Sequence, residues 1–288
     1  MQLKEIWKII YLMAKKKQIF KVACIQLNSR QSISKNLVHT KRFINKACNK
    51  GADFILTPEV SNIVSLSKHH LLKNTYLEDK DPFLNEIKLL AKERSVWILL
   101  GSIIIKNKKN KLYNRSYLIN SSGKVVCKYD KIHMFDVDIS KGESYKESTI
   151  FTKGKKLVTA KLPWGQLGMS ICYDLRFPSL YRKLCSRGAN IISIPAAFTR
   201  PTGKAHWHTL IKARAIENSS FVLAPAQCGI HSSSRKTYGH SLIVSPWGEI
   251  IAEMTGKPGI MVANIDMSHI SKVRKMIPSY KVTPIEKK

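Results

Sequence analysis

The sequence predicts an α/β domain that either contains two sheets or is internally pseudo-symmetric. Short apolar runs alternate with amphipathic segments along most of the 288 residues, which is typical of β-α-β units. One such unit also recurs. GADFILTP at Gly51–Pro58 and GANIISIP at Gly188–Pro195 both place Gly-Ala, a polar residue, an apolar run and Pro at the same offsets. Two similar copies indicate a duplicated strand-helix-strand unit.

In the first half of the chain, turn residues indicate where the strands end, and apolar residues at helical spacing indicate the helices. The first strand is FKVACIQL, and Gly51 ends the helix that follows it, since Gly is a common helix terminator. Pro58 ends the next strand. The predicted elements are a strand over Phe20–Leu27, a helix over 34–49, strand Phe54–Leu56, a helix over 84–94, strand Val96–Ile105 and a hairpin over Leu112–Tyr129.

The second half repeats the same alternation and ends in a basic tail. Pro246-Trp247-Gly248 predicts the turn of a late hairpin. The predicted elements are strand Gln166–Cys172, helix Ser179–Ser186, a strand within Gly188–Pro195, a helix over 205–218, strand Phe221–Gln227, a hairpin over His240–Glu253 and strand Ile260–Ile265. The basic tail from Ser268 is expected to cross the surface or a partner subunit.

The domain organisation follows from the absence of any linker rich in Pro, Gly or Ser. Residues 20–288 are therefore expected to form one domain with a basic C-terminal tail, preceded by an extension over residues 1–19. In that extension Lys15–Lys17 follow the apolar segment, which is the wrong order for a signal peptide. It is either a transit or membrane-surface helix, or non-native or disordered sequence ahead of a true start at Met13, and we favour the latter.

The composition of the chain limits the classes of molecule that it is expected to bind. The chain carries 49 Lys+Arg against 19 Asp+Glu, a net charge of +30, which favours acidic ligands, nucleic acid or anionic membranes. The basic residues are spread along the chain without a nucleic-acid-binding motif, so we expect a solvated surface and no specific nucleic-acid partner. No apolar run approaches the roughly 18 residues of a membrane span.

Cysteine and histidine spacing argues against metal sites and disulfides. The six cysteines include no CxxC pair, which predicts neither a zinc site nor a disulfide framework and fits a reducing, cytoplasmic location. His206 and His208 lie two apart on a predicted helix and so face different sides. His69 and His70 are adjacent and lack acidic or cysteine partners nearby. We therefore expect no metal and no cofactor.

Reactive side chains follow three predicted strands. These are Glu59, Lys131 and Cys172. A thiol becomes a good nucleophile when a nearby base takes its proton, and an ammonium group can stabilise the oxyanion that forms when the thiolate attacks a carbonyl carbon. Taken singly, each residue also has an ordinary interpretation: a buried structural cysteine, an exposed lysine and a surface or capping glutamate.

Three motifs resemble the catalytic motifs of the nitrilase, or carbon–nitrogen hydrolase, superfamily. In family order they are PEV at Pro58–Val60, YDKIHMFDVDI at Tyr129–Ile139 and GMSICYDLRFP at Gly168–Pro178. The resemblance implies a four-layer α-β-β-α sandwich without metal or cofactor. It also implies that Glu59 is the general base, Lys131 the oxyanion stabiliser and Cys172 the nucleophile. Glu147 matches a second family glutamate, which would orient Lys131 or assist proton transfer. The backbone N–H of Tyr173 would complete the oxyanion hole.

Two further segments, Phe198–Asn218 and Ala224–Ile250, most resemble the deaminated glutathione amidase branch. That branch acts on amides that bear carboxylates, so cationic side chains are candidate substrate partners. For Arg176 we favour the alternative of an ion pair with Asp174. His208 stands where relatives usually have Glu, which puts the exact substrate in doubt. The candidate substrate-binding residues are Tyr173, Arg176, Phe198, Thr199 and His208, with Arg200 and Lys204 as further cations.

The resemblance implies a cytoplasmic amidase that hydrolyses a small linear, carboxylate-bearing amide through a cysteine thioester and releases ammonia. An ω-amidase or an N-carbamoyl amide hydrolase on the same scaffold is the main alternative. A non-catalytic binding protein is a third possibility, against which the intact Glu59, Lys131 and Cys172 argue. By analogy with the family, we expect a homodimer or a larger homo-oligomer.

Overall fold

The computed structural model describes residues 18–140, 143–232 and 235–280. Most of the predicted N-terminal extension, residues 1–17, lies outside these described residues. The strands are β1 (Ile19–Gln26), β2 (Phe54–Leu56), β3 (Trp97–Lys106), β4 (Leu112–Ile119), β5 (Val125–Asp130), β6 (Asp136–Ser140), β7 (Glu143–Lys146), β8 (Thr159–Lys161), β9 (Gln166–Met169), β10 (Ile191–Ser193), β11 (Phe221–Ala224), β12 (Cys228–Ser232), β13 (Arg235–Tyr238), β14 (Leu242–Val244), β15 (Ile250–Glu253) and β16 (Gly259–Asp266). The α-helices are α1 (Ile33–Asn49), α2 (Lys68–Asn74), α3 (Pro82–Glu93), α4 (Pro178–Ser186), α5 (Arg200–Asn218) and α6 (Ser268–Met276).

Two six-stranded sheets have the same plan. The first has the order β16-β1-β2-β3-β4-β5 and the second β15-β14-β11-β10-β9-β8. In each sheet three parallel strands form the centre and antiparallel strands complete both edges. The repeated GADFILTP and GANIISIP segments supply β2 and β10, which occupy the same middle position in the two parallel triplets.

Alternation along the strands produces four layers. In β1, Ala23 and Ile25 face a cluster that includes Phe43 of α1 and Ile87 of α3. Successive strand residues point to opposite faces, so Val22 and other residues of the first sheet pack instead in a cluster shared with the second sheet. That cluster continues to α4 and α5. The arrangement is the predicted α-β-β-α sandwich, because each sheet buries one face against helices and the other against its partner sheet.

Several boundaries differ from the predictions. The strand predicted to reach Cys172 ends at Met169, and the one predicted to reach Gln227 ends at Ala224. Helix α5 begins at Arg200 rather than at 205, because Pro201 lies in its first turn, where its missing N–H costs nothing. The tail from Ser268 begins with helix α6.

Two short hairpins and α2 have no counterpart among the predicted elements. The hairpins are β6–β7 and β12–β13, which follow the core strands on polar segments of weak periodicity. Both hairpins contribute residues to the cavity described below. Within the described ranges, none of the helices combines the length and hydropathy that crossing a bilayer requires.

Gly101 permits β3 to pass close to the segment that carries Glu59. A Cβ atom at Gly101 would lie 1.9 Å from the Thr57 carbonyl oxygen and 2.8 Å from that of Pro58. The Thr57 hydroxyl also accepts a hydrogen bond from the Gly101 N–H at 3.0 Å. The two residues before Glu59 are therefore held directly against the neighbouring strand.

We predict that Gly101→Ala lowers the free energy of unfolding by about 1–3 kcal/mol, the usual cost of overpacking a core. The same change displaces Glu59 and lowers turnover. Gly256→Ala is the control, because a Cβ at Gly256 meets nothing within 4 Å. Urea unfolding together with an activity assay checks the prediction, which fails if the two variants behave alike.

Candidate active site

The reactive residues that follow the strands meet in one cavity of about 320 Å³. Glu59, Lys131 and Cys172 all line it, and Glu147 joins them from the start of a short 3-10 helix. Two of the predicted substrate contacts, Tyr173 and Phe198, line it as well. The cavity opens beyond the carboxyl ends of the parallel strands, where open α/β sheets place their ligands. The remaining wall is largely apolar and includes Val60, Ile63, Ile150 and Phe151.

Glu59 is buried, with 4% of its surface exposed. Its Oε1 accepts hydrogen bonds from Lys131 Nζ and Asn114 Nδ2, both at 2.9 Å. Its backbone carbonyl accepts a third from Gln227 Nε2 at 2.9 Å. Gln227 follows the second sheet, so the Glu59 carboxylate and backbone are oriented by both sheets.

Lys131 lies between two carboxylates. Its ammonium group donates to Glu59 and also to Glu147, whose Oε1 and Oε2 lie 2.9 and 2.8 Å from Nζ. Glu147 Oε2 accepts a further bond from the Phe135 N–H at 2.6 Å. The Lys131 N–H in turn donates to the Asn114 carbonyl at 3.0 Å. The ammonium group is thus fully buried and held on two sides.

These contacts determine the charges of Lys131 and Glu59. Burial opposes the charged form of Lys131, but Glu147 and then Glu59 overcome it and raise the pKa of the ammonium group above its usual value. Burial raises the pKa of Glu59, yet the Lys131 charge and hydrogen bonds from Cys172, Lys131 and Asn114 bring it below the ordinary value of 4.5. Lys131 is therefore cationic and Glu59 anionic at neutral pH.

Cys172 begins a five-residue 3-10 turn after β9. Its φ of +50° is in the left-handed region, which is uncommon for a residue other than Gly and marks a constrained site. The Cys172 N–H donates to the Pro195 carbonyl at 2.9 Å. For the next N–H, that of Tyr173, no acceptor is found among the described residues, so this donor is available at the cavity.

Burial and then the Glu59 charge raise the pKa of the Cys172 thiol well above its usual range, and Lys131 offsets only part of this effect. The resting pair is consequently a neutral thiol hydrogen-bonded to the Glu59 carboxylate. A base that is already in contact with the thiol can take the proton as the sulfur attacks. This arrangement suits general-base activation of a nucleophile.

Asp174 links the cysteine turn to the lysine segment. Its Oδ2 accepts from the Ile171 N–H at 2.9 Å and from the Tyr129 hydroxyl at 2.6 Å. Its Oδ1 accepts from the His133 N–H at 3.1 Å and lies 2.6 Å from the His133 ring. Tyr129 and His133 lie two residues on either side of Lys131. A fully buried carboxylate therefore fixes Lys131 relative to Cys172.

The favoured ion pair between Arg176 and Asp174 was a wrong prediction. Within the described residues no ion pair joins them, since Asp174 is occupied by Ile171, Tyr129 and His133. Arg176 instead lies over the rings of Tyr173 and Phe198, 5.9 and 5.5 Å from their centroids. It borders the cavity wall from outside and is not one of the described residues that line the cavity.

Thr199 and His208 were also predicted to contact substrate, and neither lines the cavity. Thr199 is fully buried at the start of α5, where its hydroxyl bonds that of Thr202 at 2.8 Å. His208 faces away from the cavity, and its Nε2 lies 3.0 Å from Glu253 Oε1. The further cations Arg200 and Lys204 are exposed and do not line the cavity either.

Two residues of the cavity region escaped the sequence predictions. Asn114 lies between Tyr113 and Arg115 in β4, and no local sequence pattern indicates that its side-chain amide donates to Glu59. Arg235 of β13 lines the cavity, and its Nη2 donates to the Ala197 carbonyl at 2.6 Å. Its Nη1 is buried without a hydrogen-bond partner among the described residues. No local sequence pattern distinguishes Arg235 from the many other basic residues.

Known proteins share both the sequence and this architecture. The family model for the carbon–nitrogen hydrolases matches residues 21–275. A Dictyostelium discoideum protein named deaminated glutathione amidase is 39% identical over 263 residues, covering 88% of this chain and 90% of that protein.

Two solved structures have the same fold. The Caenorhabditis elegans NitFhit protein superposes with a TM-score of 0.86 at 34% identity, covering 91% of this chain and 64% of that one, so this chain spans under two thirds of its length. Saccharomyces cerevisiae Nit3, a member of branch 10 of the nitrilase superfamily, superposes with a TM-score of 0.82 at 30% identity, covering 91% and 95% of the two chains. Together with the cavity geometry, these matches show that the chain belongs to the carbon–nitrogen hydrolase family of the nitrilase superfamily and is an amidase.

Proposed function

We propose that this amidase hydrolyses a small linear amide that bears a carboxylate, similar to deaminated glutathione, and releases its nitrogen as an amine, or as ammonia where the amide is primary. The observation that carries the proposal is the Cys172 thiol in contact with Glu59 and beside the Lys131 ammonium group, inside a cavity that Arg235 also lines. The name of the Dictyostelium relative supports the same substrate.

In the first half of the reaction, Cys172 Sγ attacks the amide carbon while Glu59 takes the thiol proton. The carbonyl oxygen becomes an oxyanion, which the Lys131 ammonium group and the Tyr173 N–H stabilise. The C–N bond then breaks as Glu59 returns the proton to the leaving nitrogen. The amine, or ammonia from a primary amide, departs, and the acyl group remains on sulfur as a thioester.

In the second half, water attacks the thioester carbon and Glu59 takes one of its protons. The same donors, Lys131 and Tyr173, stabilise the second oxyanion. The C–S bond breaks, the sulfur regains its proton from Glu59, and the carboxylic acid leaves. Glu147 takes no proton in this scheme. It positions Lys131 through two hydrogen bonds, so the ammonium group stays aimed at the oxyanion.

Arg235 supports a substrate with a carboxylate. Guanidinium groups bind carboxylates through paired, charge-assisted hydrogen bonds, and Arg235 is a cationic residue of the cavity wall. The guanidinium also lies 4.9 Å from the centroid of the Tyr145 ring, which fixes its plane. The cavity wall as a whole is mainly apolar, which suits the methylene groups of a linear acid. Assembly as a homodimer or larger oligomer and a cytoplasmic location remain predictions.

The first test measures the amine product released from deaminated glutathione, and ammonia released from ω-amides of 2-oxo acids and from N-carbamoyl amides. We expect the highest kcat/KM with deaminated glutathione. Cys172→Ala and Cys172→Ser should reduce release to the no-enzyme background while circular dichroism and thermal unfolding stay unchanged, because only the nucleophile is lost. Preference for an N-carbamoyl amide would overturn the substrate assignment, and full activity in either cysteine variant would overturn the mechanism.

The second test asks whether Glu59 activates the thiol. Because the pKa of Cys172 is raised and that of Glu59 lowered, we predict that alkylation of Cys172 by iodoacetamide varies little from about pH 6 to 9, through the ordinary thiol range. Glu59→Gln should slow it by about 10²–10⁴-fold. Peptide mass spectrometry identifies the labelled cysteine. Glu86→Gln, which removes a carboxylate paired with Lys41 at the surface, is the control. A wild-type alkylation rate that rises steeply with pH over the range in which ordinary thiols ionise would contradict the prediction.

The third test concerns Arg235. We predict that Arg235→Gln raises KM for the carboxylate-bearing amide by about 10- to 100-fold, the usual worth of a hydrogen-bonded charge, and leaves KM for its neutral ester analogue unchanged. Lys236→Gln is the matched control, since it removes a charge from the adjacent, exposed position of the same hairpin. Equal effects of Arg235→Gln on the charged and neutral substrates would show that Arg235 acts only on the fold.

A further inference from the structure

A cluster of metal-ligating side chains lies outside the cavity. It consists of His208 on α5, His240 just before β14, and Glu253 on β15, whose ligand atoms all lie within 4.8 Å of one another. None of the three lines the cavity. The sequence spacing of His206 and His208 predicted no metal site. His240 and Glu253 are distant from His208 along the chain but adjacent to it in the fold.

The surrounding structure holds the three side chains in place. The Trp207 indole donates to the His240 carbonyl at 2.7 Å, which ties α5 to the start of β14. The Tyr238 ring stacks on the His240 ring with centroids 4.2 Å apart. Glu253 is opposite Leu242 in the β14–β15 pair. The ligands therefore come from three elements whose relative positions are already fixed, which is the preorganisation that a metal site needs.

We propose that His208, His240 and Glu253 bind a late first-row divalent cation such as Zn²⁺. Glu253 Oε1 lies 3.0 Å from His208 Nε2 and 2.9 Å from His240 Nδ1. Two imidazole nitrogens and a carboxylate oxygen form a ligand set that zinc and its neighbours in the series prefer. In a tetrahedral zinc site, bonds of about 2.0–2.2 Å place ligand atoms roughly 3.3 Å apart, so small side-chain movements open the cluster around an ion.

The ion takes the place of the protons that now join these groups. Each histidine binds through the nitrogen that faces Glu253, so that nitrogen must present its lone pair and the neutral ring carries its proton on the other nitrogen. The side chains of His208, His240 and Glu253 are 31%, 28% and 36% exposed. Solvent therefore reaches the cluster and can complete the coordination shell. The bound ion joins α5 to the β14–β15 hairpin and stabilises the folded chain.

The test is calorimetric titration of the chelator-treated, full-length protein with Zn²⁺, which we expect to show one saturable site. His208→Gln, His240→Asn and Glu253→Gln should each weaken binding by at least about tenfold. Asn is chosen at His240 because the φ of +56° there is tolerated by Asn. His206→Gln is the matched control, since it makes the same substitution on the same helix at an exposed position outside the cluster. It should bind Zn²⁺ like the wild type.

Two further measurements separate this cluster from the cysteines. Cys172→Ala should retain the site, and the Co²⁺ complex should show visible d–d bands without a thiolate charge-transfer band. Zn²⁺ should also raise the Tm of the wild type and of His206→Gln, but not of the three ligand variants. The proposal is overturned if no saturable site appears, if the three ligand variants bind Zn²⁺ as the wild type does, or if Co²⁺ shows thiolate coordination. Because none of these readouts is amidase activity, they are independent of the proposed substrate.

Discussion

The active site depends on one buried ammonium group that two carboxylates share. Lys131, Glu59 and Glu147 lie on three different segments. Folding buries Lys131 and Glu59 and leaves the Glu147 side chain 13% exposed, so it removes most of their hydration. Desolvation costs several kcal/mol per ion, and only close contacts with opposite charges offset it. Removing one member of a buried pair costs about 3–5 kcal/mol. The segments that follow β2, β5 and β7 must therefore converge, so the charges proposed to serve catalysis also determine how these segments pack.

The duplicated β-α-β unit explains how both sheets contribute to one site. In the first sheet, β2 leads through Pro58 to Glu59, while in the second sheet β10 leads to Pro195, whose carbonyl accepts the Cys172 N–H at 2.9 Å. The base and the backbone support of the nucleophile thus occupy corresponding places in the two copies. Asp174 completes the connection, since it bonds the cysteine turn and both flanks of Lys131. The sandwich brings the carboxyl ends of the two parallel triplets together.

The sequence predicted those features that depend on local pattern. Apolar runs closed by Gly or Pro indicated the core strands, and the three motifs indicated Glu59, Lys131 and Cys172. Contacts between distant segments were not predictable in this way. Asp174 was expected to pair with nearby Arg176, but it bonds Tyr129, 45 residues away. His208 was assigned to the cavity from its neighbours in sequence, although its partner is Glu253, also 45 residues away.

Thr199 lies outside the cavity but helps to hold β13 in place. It pairs with Thr237 of β13, and the neighbouring Phe198 carbonyl accepts the Tyr238 N–H at 3.0 Å. Gly203 allows Tyr238 to pack directly on α5, since a Cβ there would lie 2.4 Å from the Tyr238 side chain. These contacts fix β13, and β13 carries Arg235. The start of α5 therefore acts on the proposed substrate carboxylate through the position of Arg235, because the guanidinium can meet that carboxylate only while the hairpin keeps its register.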